Sequence, residues 1–151
     1  MSGPFPRYLN ARHAERTGVG RREPSALSDV ELTARLMSPL ARCAASGMHP
    51  DAWFPVAKKP DLARREAFRA LVVCEHCPVR AECLEVSMRQ WEWPGLGRHG
   101  IWGGFIEAER GMLHQAWSAG VPVTMLMRFG RRAGPSHPVE PQTGQRSPPA
   151  A

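Results

Sequence analysis

Three of the four cysteines in this chain lie within the segment CEHCPVRAEC at residues 74–83. Cys74 and Cys77 are separated by two residues, Cys83 follows after five more, and Cys43 lies well upstream. Four thiolates are a usual ligand set for a structural zinc ion or an iron–sulfur cluster. Structural zinc sites commonly use two closely spaced pairs, whereas this chain has one pair and two single cysteines. The spacing therefore favours a cluster, which can collect ligands from separate helices.

Other roles for the cysteines stay open at this point. Two disulfides or unrelated buried thiols would also use such residues, although closely spaced cysteines in a reducing compartment more often bind metal or act in redox chemistry. The gap between Cys74 and Cys77 is that of a dithiol oxidoreductase, but no βαβ pattern surrounds it and two cysteines would be surplus. His49 and His76 are alternative zinc ligands, which we interpret as surface histidines.

Composition indicates a small cytoplasmic domain with a limited core. The 151 residues include 15 prolines and 14 glycines, so much of the chain must be turn or coil. No apolar run approaches a membrane span, and the N-terminus lacks the pattern of a signal peptide. Lys and Arg exceed Asp and Glu by 20 to 14. This charge suits an anionic partner such as nucleic acid, although ordinary solubility explains it equally well.

Apolar spacing predicts an all-α fold, a small bundle of about four to five short helices with disordered termini. Ser28 and Glu31 have capping-box spacing at the start of the first helix. In the second, beginning near Asp61, we expect Leu62 and Phe68 to lie on the buried face. Pro78 separates this helix from the next. We divide the chain into a flexible segment (1–24), a helical domain (25–120), a basic segment (121–132) and a disordered tail (133–151).

Two loops carry large apolar side chains among turn-forming residues. Trp53 and Phe54 lie between prolines, where they either fill the core or mark a surface that binds a partner. The segment PGLGRHGIWGG surrounds Ile101 and Trp102 with glycines, so its backbone must turn tightly or approach another group closely.

Together these motifs resemble those of the WhiB-like family. The resemblance rests on Cys43, on Cys74-x2-Cys77-Pro-Val-Arg-x2-Cys83, and on the Trp-Phe-Pro sequence at 53–55. It also includes Gly-Ile-Trp-Gly-Gly at 100–104, followed by a helix with Glu109-Arg110. The match extends over roughly residues 28–115 and implies an all-helical fold around a [4Fe-4S] cluster. The four ligands implied are Cys43, Cys74, Cys77 and Cys83.

The resemblance also implies a transcription regulator of the cytoplasm, not an enzyme, whose cluster responds to oxygen and nitric oxide. Members of the family typically bind region 4 of the primary sigma factor. By position, that contact would fall to Trp53, Phe54, Ile101, Trp102, Gly103 and Gly104. Promoter DNA is a further expected partner. Its candidate contacts are Arg128, Arg131 and Arg132, which otherwise form a solvated helix end.

Overall fold

A computed structural model describes residues 22–93 and 97–130 of the chain. Within these ranges it has six short α-helices and no strand, which confirms the all-α prediction. One described 3-10 turn spans Pro24–Ala26 and another Pro50–Trp53. The helices are α1 (Asp29–Leu36), α2 (Pro60–Glu66), α3 (Phe68–Glu75), α4 (Arg80–Arg89), α5 (Glu107–Ser118) and α6 (Val123–Gly130). Most of the expected flexible segment, the expected tail, Arg131 and Arg132 lie outside the described residues.

The second expected helix is two helices, which accounts for the larger count. At Ala67 the backbone ψ is −5°, well away from the helical value, and this reorients α3 relative to α2. The buried row consists of small side chains and one leucine: Ala63, Ala67, Ala70 and Leu71. The expected burial of Leu62 and Phe68 is therefore wrong, because they are 46% and 65% exposed.

The start of α1 is fixed by the capping box that the sequence predicts. The Ser28 hydroxyl accepts a hydrogen bond from the Glu31 amide at 3.2 Å, and the Glu31 carboxylate accepts one from the Ser28 amide at 2.8 Å. Leu32 of α1 is fully buried. Arg35 donates to the buried carboxylate of Glu82 at 2.8 Å, so α1 is attached to α4 by both apolar and charged contacts.

Helix α4 lies at the centre of the fold and packs against α1, α5 and α6. Its buried Glu85 carboxylate accepts hydrogen bonds from Arg89 at 2.9 Å and from the Trp117 indole at 3.1 Å. Arg89 also donates to Asp29 at 2.6 Å. These partners compensate for the removal of the Glu85 charge from water.

Helix α6 belongs to the same core as α4. Three of its residues are buried in one apolar cluster with Leu84 and Met88 of α4: Val123, Leu126 and Met127. Helix α6 also contacts the N-terminal end of the described chain. Thr124 donates a hydroxyl hydrogen bond of 2.5 Å to Glu23, a residue 101 positions earlier. Within the described ranges, no helix is long and apolar enough to cross a membrane.

Candidate cysteine site and glycine turn

The four cysteines come from four different places in the fold. Cys74 lies in the last turn of α3, Cys77 in the turn that follows it, and Cys83 in α4. The thiol of Cys77 is 3.9 Å from the carbonyl oxygen of Leu40, which places it beside the loop leading to Cys43. Cys43 is exposed, and the other three are partly buried. The turn at Pro78 thus lets one short stretch of chain present sulfurs from two directions.

Burial dominates the electrostatics of the inner thiols. It raises the pKa of Cys83 to about 12 and the pKa of Cys74 to about 11, and the negative charges of neighbouring cysteines raise both pKa values further. The cysteines therefore share one electrostatic environment. A dithiol oxidoreductase needs the opposite, a thiol whose pKa is lowered so that the thiolate can attack. Burial therefore disfavours the thiolate form of Cys74 and Cys83 in the cluster-free protein.

Four cysteine thiolates are a donor set that either a zinc ion or an iron–sulfur cluster can use. Within the described ranges, no three His, Cys, Asp or Glu side chains are arranged to hold one metal ion. In a four-iron cluster each cysteine binds a different iron, so the sulfurs need not converge on one point. Thiolate ligands of such clusters are stabilised by hydrogen bonds to sulfur and by nearby positive charge, which the two features below supply.

The glycine turn at residues 100–104 lies directly against α4. The Gly103 amide donates a hydrogen bond of 3.2 Å to the sulfur of Cys83. Gly103 has a φ of +58°, and a Cβ added to it would lie 2.7 Å from the Cβ of Leu84. Trp102 and Phe105 close the turn by exchanging backbone hydrogen bonds of 3.2 and 3.0 Å. Glycine is needed here both for the backbone conformation and for the close approach to the cysteine.

Arg80 supplies positive charge next to the same turn. Its Nε donates to the carbonyl oxygen of Gly103 at 2.7 Å, and its guanidinium lies 5.5 Å from the centroid of the Phe105 ring. A Cβ on Gly104 would lie 2.7 Å from Nη2 of this guanidinium. The charge of Arg80 and a hydrogen bond from the Gly104 backbone both act to lower the pKa of Cys74, against the larger effect of burial.

The loop with the two aromatic residues is attached to the other end of the turn. The Ile101 amide donates a hydrogen bond of 2.9 Å to the carbonyl oxygen of Trp53. The two aromatic residues of this loop differ in burial. Trp53 is partly buried against a core cluster that includes Ile101, whereas Phe54 is 55% exposed.

The residues proposed from sequence as a sigma-factor contact are brought together but differ in exposure. Ile101, Gly103 and Gly104 are buried, and the half-buried Trp102 indole donates to the His99 carbonyl at 2.8 Å. Phe54 has the most accessible apolar side chain of the set. Arg128, one of the three expected DNA contacts, is exposed on α6.

A family model described as transcription factor WhiB matches residues 40–113. The matched segment contains the four cysteines, the Trp-Phe-Pro loop and the glycine turn. This segment of the chain is WhiB-like. The transcriptional regulator WhiB of Streptomyces coelicolor is 40% identical over 67 residues, which are 44% of this chain and 64% of that relative. The alignment thus spans just under two thirds of the relative's length. No solved structure matches this chain significantly.

The WhiB-like segment leaves out two elements that complete the core. Helix α1 precedes it and α6 follows it, yet both pack against α4. Sequence analysis also assigned no role to Arg110, which is fully buried, and noted it only as part of a motif. The sequence does show an arginine among apolar residues, after a segment of closely spaced glycines. That pattern does not indicate which groups the arginine contacts.

Proposed function

We propose that this protein is a WhiB-like transcription regulator that binds a [4Fe-4S] cluster through Cys43, Cys74, Cys77 and Cys83. Its role is a switch between binding states, not catalytic turnover. The descriptions of the matching family and of the Streptomyces coelicolor relative support regulation of transcription. The raised pKa of Cys74, one of the two cysteines of the dithiol motif, does not favour a reductase.

The hydrogen bond from Gly103 to Cys83 is the observation that carries this proposal. It connects the cysteine site to the turn, and the Ile101 amide connects the turn to the Trp53 loop. When bound, the cluster supplies a group that oxygen or nitric oxide can destroy. Ligand binding and folding are coupled, so loss of the cluster would weaken the support of the turn and its neighbouring loop.

The partner we propose for this surface is region 4 of the primary sigma factor. Phe54 and the accessible part of Trp102 would make the apolar contacts, because aromatic residues commonly dominate such interfaces. Trp53, Ile101, Gly103 and Gly104 would hold these side chains in place. We further propose that Arg128, with Arg131 and Arg132, contacts the phosphates of promoter DNA.

Anaerobic purification followed by assays of iron, sulfide and zinc tests the cofactor. About four irons and four sulfides per chain are expected. Replacing any one of the four cysteines with alanine should remove the cluster and the binding of sigma region 4 together. The matched control is Thr33→Ala, because Thr33 is exposed on α1 and we place it in neither site. A colourless protein with one tightly held zinc would instead support a structural zinc module.

A further inference from the structure

Arg110 is a fully buried arginine whose guanidinium faces the loop before the glycine turn. Its Nη1 donates to the carbonyl oxygen of Gly97. Its Nη2 donates to the carbonyl oxygens of Arg98 and Gly100, at 2.6 and 2.8 Å. One side chain of α5 thus binds three backbone carbonyls within four consecutive residues.

This arrangement buries a charge at considerable cost. Burial lowers the pKa of Arg110 to about 10, and its Nε has no hydrogen-bond partner in the described part of the protein. No carboxylate in those ranges forms an ion pair with it. An apolar side chain would fill such a position in a helix without that cost. The three carbonyl contacts are the compensation that the structure provides.

The loop that Arg110 binds leads directly into the residues that contact the cysteine site. Gly97 is packed so tightly that an added Cβ would lie 2.4 Å from the carbonyl oxygen of Gln90. From Gly100 the chain continues to Ile101, which binds the Trp53 carbonyl, and to Gly103, which binds Cys83. The guanidinium therefore fixes the loop on one side of the turn, while α4 contacts the turn on the other.

We propose that Arg110 is a positioning residue that holds the glycine turn against Cys83 and Trp53. Its planar fork of donors satisfies several carbonyls at once, which a lysine ammonium on a flexible stem does not reproduce. The consequence for a cluster or for a sigma factor rests on the proposed function. The positioning itself concerns only residues of this chain, so it is testable whether or not the proposed function is correct.

Two neighbours allow the effect of Arg110 to be separated from general loosening of α5. Glu109 accepts a hydrogen bond from the Ile106 amide at 3.0 Å and pairs with Arg64, so it holds the start of α5 to α2. Arg98 belongs to the same loop and, like Arg110, lies over the Trp91 ring, at 5.5 and 5.6 Å respectively. The Arg98 side chain is exposed and donates to the Trp91 carbonyl at 3.0 Å, so Arg98→Met measures a solvent-exposed attachment of the same loop for comparison.

Amide hydrogen exchange of the full, cluster-free chain under reducing conditions tests the proposal. In Arg110→Lys and Arg110→Met, the amides of Ile101 and Gly103 should exchange roughly tenfold faster or more, while interior amides of α4 keep their rates. Glu109→Gln should affect amides at the start of α5 more than these two. Arg98→Met, which removes only exposed contacts of the loop, should accelerate exchange at these two amides less than Arg110→Lys does.

Unchanged exchange at Ile101 and Gly103 in Arg110→Lys would overturn the proposal. An equal acceleration at these amides and throughout α4 would overturn it as well, because Arg110 would then stabilise the fold without specifically positioning the turn. If the variants do not fold, the exchange rates of the Ile101 and Gly103 amides in the wild-type protein test the proposal. There, both amides must be protected about as strongly as those of α4, and near-random-coil exchange would refute the inference. Binding of zinc, or failure to bind a sigma factor, would contradict the proposed function and leave this result intact.

Discussion

Phe54 lies so close to Gly100 that a Cβ added at residue 100 would be 2.8 Å from Cε1 of the phenyl ring. The same Cβ would be 3.1 Å from the carbonyl oxygen of Trp53. The backbone of the glycine turn is thus one wall of the site that holds the exposed aromatic side chain. The position of Phe54 consequently depends on a residue that has no side chain of its own.

Gly100→Ala should displace Phe54 and destabilise the protein. Gly100 has a φ of +76°, where an alanine costs about 1–2 kcal/mol, and the clash with the ring adds to this cost. We expect lower stability in urea unfolding and weaker binding of sigma region 4. The control is Gly47→Ala, because Gly47 has a φ of +65° with nothing within 4 Å of the added Cβ. Equal effects of the two substitutions would show that backbone strain alone is responsible.

Phe54→Ala should weaken sigma-factor binding by roughly tenfold or more while changing the stability little, because the side chain is 55% exposed. Titration of the cluster-loaded protein with sigma region 4 measures the affinity. Val56→Ala is the comparison, since Val56 lies in the same loop and is 80% exposed. Retention of full affinity in Phe54→Ala would remove this residue from the proposed interface.

Arg89→Met should lower the free energy of unfolding by about 2–3 kcal/mol. The substitution removes one of the two observed hydrogen-bond donors to the buried Glu85 carboxylate, so the Trp117 indole remains. It also removes the ion pair with Asp29. Arg22→Met is the control, because the Arg22–Glu31 pair is exposed to solvent and should contribute much less to the stability. Chemical denaturation measures the free energy of unfolding of both variants. Similar decreases in the two would contradict the conclusion that the buried Glu85 carboxylate depends on Arg89 for its compensation.

The cluster-free protein should lose stability as the pH rises from about 9 towards 12. The pKa values of Cys74 and Cys83 are about 11 and 12 in the folded protein, above the ordinary thiol value of 9.0. The folded state therefore binds more protons in this range, and its advantage, complete below pH 9, declines as the unfolded thiols ionise. Urea unfolding at several pH values, with reductant and chelator present, measures this slope. In Cys74→Ala/Cys83→Ala the slope should be shallower, and an unchanged slope would refute this origin.

The sequence predicts local features of the fold more reliably than it predicts which helix face is buried. The capping box at Ser28 is confirmed because both of its hydrogen bonds join residues three positions apart. The break at Ala67 has no glycine or proline to indicate it, so the exposure of Phe68 was not predictable from apolar spacing. The start of α2 is close to the expected position near Asp61, since the helix begins at Pro60 with Lys59 at its N-cap position.

The candidate site was predictable in its residue types but not in its connections. The spacing of the cysteines and glycines selects these residues, and their assignment to a cluster and a sigma factor stays a prediction. The hydrogen bond from Gly103 to Cys83 joins residues 20 positions apart, and the contacts of Arg110 depend on the path of the loop it binds. Such contacts follow from tertiary packing, which a linear pattern does not specify.

The contact between Thr124 and Glu23 has a consequence for how the chain acquires its structure. These residues are 101 positions apart, and α6 also supplies buried side chains to the cluster around Leu84. During synthesis, Glu23 can form this contact only after α6 has left the ribosome. Contacts of such long range slow folding, because a large loop must close before they contribute. The apolar residues of α4 that α6 covers in the folded protein are therefore exposed in the nascent chain until α6 has been synthesised and packs against them.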